Sequence, residues 1–266
     1  KTSMEKPFGM ILITGPTGSG KTTTLYSLLQ TLNKENVNII SLEDPVEYFI
    51  SGINQSQVRP EIGYDFASGL RQILRQDPDI IMVGEIRDNE TAGLAIHAAL
   101  TGHIVLSTLH TNNAVGVIPR LIDMKVEPFL LPSALNLMIS QRLVSLLCEA
   151  CREAEEAPAA LQKIIKKALS ELPEELRGKY KEPYKIYHAP GCEKCGGRGF
   201  VGRAPLYEVF EMTPELGEII YIEPNAQKIL AESKRQGMVS LRTDGVLKAL
   251  DGLISIEEVV RETEEV

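Results

Sequence analysis

The loop GPTGSGKT at residues 15–22 constrains the fold more than any other feature, and it directly follows the apolar run GMILIT at residues 9–14. Leucines with helical spacing come next, so the order is strand, glycine-rich loop and helix, and a chance match in a flexible loop is disfavoured. Glycines let backbone N–H groups converge on phosphate oxygens, and the helix N-terminus adds partial positive charge. The sequence therefore predicts an α/β fold with a P-loop.

Within this loop, Lys21 would place its ammonium beside the β- and γ-phosphates, and the hydroxyl of Thr22 would bind Mg²⁺. We find no N-K-x-D segment of the kind that recognises guanine, which favours ATP over GTP. The predicted nucleotide-binding residues are Gly15, Pro16, Thr17, Gly18, Ser19, Gly20, Lys21, Thr22 and Thr23.

Two further apolar runs end in carboxylates, and a P-loop enzyme needs one carboxylate to organise Mg²⁺ and another to orient the attacking water. Residues 79–84 lead into Glu85, and residues 38–42 lead into Glu43 and Asp44. Parallel strands would bring both ends to the phosphate edge of one sheet. For the second run, including Glu47, a solvated acidic turn is the alternative.

The segment TGHIVLSTLHTN at residues 101–112 predicts another strand, with histidines at both ends. His110 follows the strand, at the place where a sensor of the γ-phosphate would lie. His103 precedes it, and we interpret His103 and His97 as structural residues.

The four cysteines form two C-x-x-C pairs separated by 40 residues, which predicts a closed, structural Zn(Cys)₄ site. A redox pair would open a helix in a thioredoxin-like unit, which neither pair does. Thiols without a metal remain an alternative, as does a non-enzymatic module, since CEKCGGRGF is similar to one zinc repeat of Hsp40-type chaperones. The predicted zinc ligands are Cys148, Cys151, Cys192 and Cys195.

The sequence between and after the cysteine pairs predicts mostly helices. Residues 158–172 form an amphipathic pattern, which predicts one helix. The acidic segments EAEEAP and ELPEEL flank this pattern, and we interpret them as loops that connect the helix to the rest of the chain. Residues 203–212 predict a strand. Four helices follow, at residues 214–221, 225–236, 240–251 and 255–263.

The bulk composition limits the classes of partner. The 266 residues carry a net charge of −8, contain no Trp and are only 5% aromatic, which argues against nucleic acid as the main partner. No apolar run is long enough to span a bilayer, so we expect a soluble protein without direct membrane insertion. The opening KTSMEKPFG lacks the apolar core of a secretory signal, and we interpret the chain as a fragment.

Several of these motifs occur together in one known family. GPTGSGKT, LEDPVEY, DIIMVGEIRD and TGHIVLSTLHTN, with QRLVSLLCEAC and GCEKCGGRGFVGRAPLYEVFEM, closely resemble the secretion ATPases of type II secretion and type IV pilus assembly. The resemblance implies a RecA-like P-loop NTPase core at residues 1–143, a zinc-binding insertion at residues 144–207 and a C-terminal helical subdomain at residues 208–266.

The resemblance also implies a role for each candidate residue. Glu43 would be the general base or water-orienting carboxylate, with Glu47 as the fallback. Thr22 would bind Mg²⁺ directly and Glu85 would bind it through water. His110 would contact the γ-phosphate, and the cofactors would be ATP or ADP, Mg²⁺ and Zn²⁺.

By the same resemblance, the chain would belong to a cytoplasmic hexamer, peripheral to the inner membrane, that drives a platform protein in that membrane. Retraction motors of the family generally lack the four cysteines, which favours pilus extension or secretion, with a slight preference for the pilus. A nucleic-acid translocase with the same core is the rival enzyme.

Family members also carry an N-terminal domain that supplies arginines to the phosphates. We interpret this chain as lacking that domain, and we therefore expect nucleotide binding with slow hydrolysis. Arg71, Arg75 and Arg87 are local substitutes for those arginines, or else form ordinary salt bridges.

Overall fold

The computed structural model describes residues 6–264, so the first five residues of the N-terminal stretch discussed above lie outside it. The strands along these residues are β1 (Gly9–Thr14), β2 (Ile39–Glu43), β3 (Asn54–Gln57), β4 (Ile80–Val83), β5 (Ile104–Leu109), β6 (Leu135–Leu147), β7 (Glu153–Glu156), β8 (Lys185–His188) and β9 (Phe200–Glu211). The helices are α1 (Lys21–Leu32), α2 (Phe66–Ile73), α3 (Asn89–Leu100), α4 (Val117–Asp123), α5 (Leu131–Ala134), α6 (Ala159–Ser170), α7 (Glu174–Arg177), α8 (Pro214–Ile222), α9 (Ala226–Arg235), α10 (Leu241–Leu250) and α11 (Ile256–Glu262).

The main sheet has the strand order β3-β2-β4-β5-β1-β6-β9, and every adjacent pair from β3 to β6 is parallel. Every residue of β1, β2 and β4 is buried, as expected for parallel strands covered on both faces. The predicted strands that carry the P-loop, Glu43, Glu85 and His110 are therefore confirmed as neighbours in one sheet. Because they are parallel, their carboxyl ends lie along the same edge.

Strand β3 was not predicted, because its sequence NQSQ has no apolar alternation. Its glutamines instead hydrogen-bond the loop that follows β2. Gln55 Oε1 accepts from the backbone N–H of Ile50 at 2.6 Å, and Gln57 Oε1 accepts from that of Val46 at 3.3 Å. The polar strand thus fixes the segment just beyond Glu43.

The described residues form two compact units, one comprising residues 6–140 and 209–236 and the other comprising residues 141–208 and 237–264. The second unit has its own apolar core, which includes Val144, Ile165, Leu206, Val246 and Val259. The three-part division with boundaries at residues 143 and 207 stays a prediction.

One interpretation of the region between the cysteine pairs was wrong. The helix is present as α6, but the residues EAEE before it form strand β7, antiparallel to β8, instead of an acidic loop. Glu156 lies opposite Lys185 and Glu153 lies opposite His188, so the acidic strand faces basic partners. Such cross-strand pairs stabilise this two-stranded sheet, whose strands are separated in the chain by α6 and α7.

The four C-terminal helices are confirmed, with ends within two residues of those expected. Each begins behind a polar side chain that accepts a hydrogen bond from a backbone N–H of the first turn. These N-cap residues are Thr213, Asn225, Ser240 and Ser255. Among the described residues, we find no helix with the length and apolarity needed to cross a membrane.

Candidate nucleotide site and four-cysteine cluster

The P-loop connects β1 to α1 at the carboxyl edge of the sheet. Gly18 and Gly20 have φ angles of 80° and 83°, a region that favours glycine, so the loop needs both residues. The Lys21 ammonium, on the first residue of α1, donates to the carbonyl oxygens of Gly15 at 2.9 Å and Pro16 at 3.0 Å. The lysine is therefore held over the loop whose N–H groups would cradle a phosphate.

The remaining residues predicted to bind nucleotide vary in exposure. Gly15 and Ser19 are buried, Thr22 is half-buried, and Pro16, Thr17 and Thr23 are exposed. The crest of the loop is thus open to a ligand. The roles assigned to these residues in binding phosphate and Mg²⁺ stay predictions.

Glu85 and His110 meet at the ends of the adjacent strands β4 and β5. His110 Nε2 lies 3.2 Å from Glu85 Oε2, and Arg87 pairs with the other carboxylate oxygen. The Glu85 side chain is 14% exposed, while those of His110 and Arg87 are at least half exposed. The hydrogen bond that Arg87 donates to Glu85 raises the pKa of Arg87, so the guanidinium stays charged beside the carboxylate.

Side-chain hydroxyls near the end of β5 hydrogen-bond the backbone at the end of β4. Ser107 Oγ donates to the carbonyl of Val83, and Thr108 Oγ1 donates to the carbonyl of Gly84, both at 2.7 Å. These bonds fix the backbone immediately before Glu85 and His110. The pair is therefore presented by rigid strand ends.

Thr14 and Thr111 tie the segment after His110 to the strand before the P-loop, and the sequence did not single out either residue. Thr14 Oγ1 accepts from the backbone N–H of Thr111 at 2.7 Å, and the two hydroxyls lie 2.8 Å apart. The signal in the sequence was a threonine at the end of the first apolar run and another two residues after the end of the second. Since Thr14 is fully buried, its hydroxyl has to find such a partner.

Glu43 lies in a separate, buried cluster and is only 2% exposed. Its carboxylate accepts hydrogen bonds from Ser41 Oγ at 2.5 Å, from Gln55 Nε2 at 3.2 Å and from the hydroxyl of Tyr26. None of these three donors was anticipated. Asp44 and Glu47, the neighbouring acids of the same motif, are exposed.

The structure therefore pairs Glu85 with His110 but gives Glu43 different partners. Strands β4 and β5 separate β2 from β1, and three strand spacings amount to about 14 Å. The catalytic roles of Glu43, Glu85 and His110 stay predictions. Of the three arginines considered, Arg71 pairs with Glu90, Arg87 pairs with Glu85, and Arg75 is exposed.

The four cysteines converge within the second unit, with their sulfurs all within 4.8 Å of one another. The Sγ–Sγ distances are 3.9 Å for Cys148 to Cys192, 4.0 Å for Cys151 to Cys195, and 3.8 Å for Cys192 to Cys195. Four sulfurs placed tetrahedrally at about 2.3 Å from Zn²⁺ would lie about 3.8 Å apart. The donor set and its spacing thus fit a closed tetrahedral zinc site.

Backbone N–H groups support the second cysteine pair. Cys195 Sγ accepts from the N–H of Cys192 at 3.1 Å and from that of Gly199 at 3.2 Å. These bonds, that from Cys192 foremost, lower the pKa of Cys195 to about 6. Bonds of this kind favour the thiolate, which is the form that binds metal.

We expect Gly191→Ala to disrupt the metal cluster. Gly191 has a φ of 100°, and a Cβ there would lie 2.3 Å from the carbonyl oxygen of Gly197. The strain and the overlap should lower zinc affinity by at least about tenfold, measured by competition with a chromogenic chelator. The matched control is Gly196→Ala, where nothing lies within 4 Å of an added Cβ. Equal zinc affinity in the two variants would show that the close approach at Gly191 is unimportant.

The sequence of this chain is similar to known proteins along nearly its whole length. The family model described as Type II/IV secretion system protein matches residues 1–261. The chain belongs to this family. Type II secretion system protein E of Pseudomonas aeruginosa is 47% identical over 266 residues, which cover 99% of this chain and 50% of that protein. The type IV pilus assembly ATPase PilB of Myxococcus xanthus is 47% identical over 265 residues, covering 99% of this chain and 45% of that protein.

A solved structure of a pilus motor is similar to this chain over nearly its full length. The pilus retraction motor PilT, determined with bound ADP, matches with a TM-score of 0.71 and 29% identity, covering 99% of this chain and 63% of that one. This likeness confirms the predicted RecA-like α/β core. The chain spans about half the length of the curated Type II/IV secretion relatives named above.

Proposed function

We propose that this chain binds ATP with Mg²⁺ and hydrolyses it, as the motor portion of a type IV pilus assembly or type II secretion system. The observation that carries the proposal is the contact between Glu85 and His110 at the carboxyl edge that also carries the P-loop. Relatives named as pilus assembly ATPases support it. Family membership favours this function over a nucleic-acid translocase or a chaperone-like module.

The side chains have the chemistry that phosphoryl transfer requires. Lys21 would neutralise phosphate charge, and the hydroxyl of Thr22 and the carboxylate of Glu85 would hold Mg²⁺, the latter through water. Mg²⁺ supplies charge neutralisation to the phosphates when bound. Among the described residues, His110 contacts one oxygen of Glu85 and Arg87 contacts the other. A carboxylate oxygen has about two acceptor positions, so Glu85 can accept a further hydrogen bond.

His110 would contact the γ-phosphate through its imidazole. Its contact with Glu85 orients the ring. Glu43 is proposed to orient the attacking water. Its three donors hold the carboxylate in one rotamer, which suits a positioning acceptor.

We further propose that the four cysteines bind Zn²⁺ and that this zinc is structural. Four protein sulfurs leave no open coordination position, which distinguishes structural from catalytic zinc. In the assembled system, the chain would work in a cytoplasmic hexamer on an inner-membrane platform protein. Pilus extension and secretion both fit this proposal.

Glu85→Gln tests the catalytic part of the proposal. The change keeps the size of the side chain but removes its charge, so ATP turnover should fall by at least about 100-fold while ATP affinity changes little. Phosphate release and calorimetric ATP binding are measured on the same preparation. Glu90→Gln is the control, because Glu90 pairs with Arg71 on the exposed face of a helix. Turnover within twofold of the unmodified chain in Glu85→Gln would contradict the proposal.

A further inference from the structure

Tyr26 connects the helix behind the P-loop to the predicted water-orienting carboxylate. It lies on the second turn of α1, its side chain is completely buried, and its hydroxyl donates to Glu43 Oε2. Glu43 ends β2, which is separated from the P-loop strand by two other strands. The Tyr26 side chain therefore bridges two motifs that are distant along the sheet.

This hydrogen bond is one of three that orient the carboxylate of Glu43. Oε1 accepts from both Ser41 and Gln55, so its two acceptor positions are filled. Oε2 accepts from Tyr26 and retains one acceptor position. The Tyr26 hydroxyl occupies one acceptor position of Oε2, and together with the donors to Oε1 it holds the plane of the carboxylate.

Tyr26 is itself held firmly. Its hydroxyl accepts from the backbone N–H of Glu47 at 3.3 Å and from Gln55 Nε2 at 3.5 Å. Its ring packs edge to face against Tyr48, with centroids 4.7 Å apart and an interplanar angle of 85°. Burial, followed by the bond to Glu43, raises the pKa of Tyr26, so the phenol keeps its proton at neutral pH.

We propose that Tyr26 is a positioning residue for ATP hydrolysis, which fixes the rotamer of Glu43 and thereby the direction from which water is held. The inference rests on the proposed role of Glu43. It goes beyond that role by assigning to the P-loop helix a direct mechanical link to the carboxylate. A movement of α1 would shift Oε2 through this single hydroxyl.

Tyr26→Phe tests the inference, because it removes the hydroxyl and keeps the ring in its packed position. We expect kcat for ATP to fall about tenfold while KM stays within about twofold, since substrate binding does not involve Glu43 directly. The melting temperature should change by only a few degrees, because one neutral donor is lost from a packed site. Tyr48→Phe is the matched control, since it removes a hydroxyl from the other, half-exposed ring of the same pair.

Two results would overturn the inference. One is an unchanged kcat in Tyr26→Phe. The other is a fall in kcat that comes with a matching change in KM and a large loss of melting temperature, because that pattern indicates a purely structural residue.

A parallel Glu43→Gln variant separates this inference from the proposed function. If Glu43→Gln abolishes turnover and Tyr26→Phe has no effect, only the inference about Tyr26 fails. If Glu43→Gln turns over ATP like the unmodified chain, the role proposed for Glu43 fails, and the inference fails with it.

Discussion

Lys21→Ala should lower the affinity of the chain for ATP by at least about 100-fold, because it removes the charged donor held over the P-loop. The alanine is compatible with a helix, so α1 and the fold should persist. Isothermal titration calorimetry with ATP and Mg²⁺ measures the affinity, and circular dichroism checks the fold.

The control for Lys21→Ala is Lys34→Ala, which makes the same change in charge at an exposed position beyond the end of α1. It should bind ATP like the unmodified chain. If both variants bind ATP equally well, then the loop at residues 15–22 is not the phosphate site, whatever its sequence.

Cys192→Ser should reduce bound zinc from about one ion per chain to nearly none, because three thiolates and a hydroxyl make a much weaker site. A structural zinc contributes on the order of 10 kcal/mol to the folding of small zinc peptides. The second unit has an apolar core of its own, so we expect unfolding to be confined to the segments around the two cysteine pairs. Elemental analysis measures the bound zinc, and hydrogen exchange of residues 189–199 measures the local unfolding.

The control for Cys192→Ser is Glu193→Gln, which changes a residue between the second pair of cysteines without removing a sulfur. It should keep its zinc and its protection from exchange. Retention of a full zinc complement by Cys192→Ser would mean that the metal lies elsewhere, or that the cluster binds it with fewer ligands than the distances suggest.

Local chemistry explains why the P-loop and the cysteine cluster could be predicted from the sequence. Gly18 and Gly20 occur where the backbone needs positive φ angles, and the apolar runs before Glu43, Glu85 and His110 mark buried parallel strands. The spacing of the two cysteine pairs likewise determined the donor set. In each case, the information lies in short motifs that can be read without knowing contacts across the fold.

The features that could not be predicted depend on contacts across the fold or on unusual strand composition. Tyr26 matches the apolar side of α1, and its bond to Glu43 arises only when the helix packs near the end of β2. Strand β3 is polar because its glutamines hydrogen-bond the neighbouring loop, and two glutamates of β7 lie opposite Lys185 and His188. Hydrophobic periodicity contains no information about such partners.

The most direct test of the central claim is phosphate release from ATP and Mg²⁺ by this chain, with zinc content determined on the same preparation. We predict about one zinc per chain and a phosphate release that is abolished in Lys21→Ala. Phosphate release that is equal in the unmodified chain and in Lys21→Ala would contradict the account.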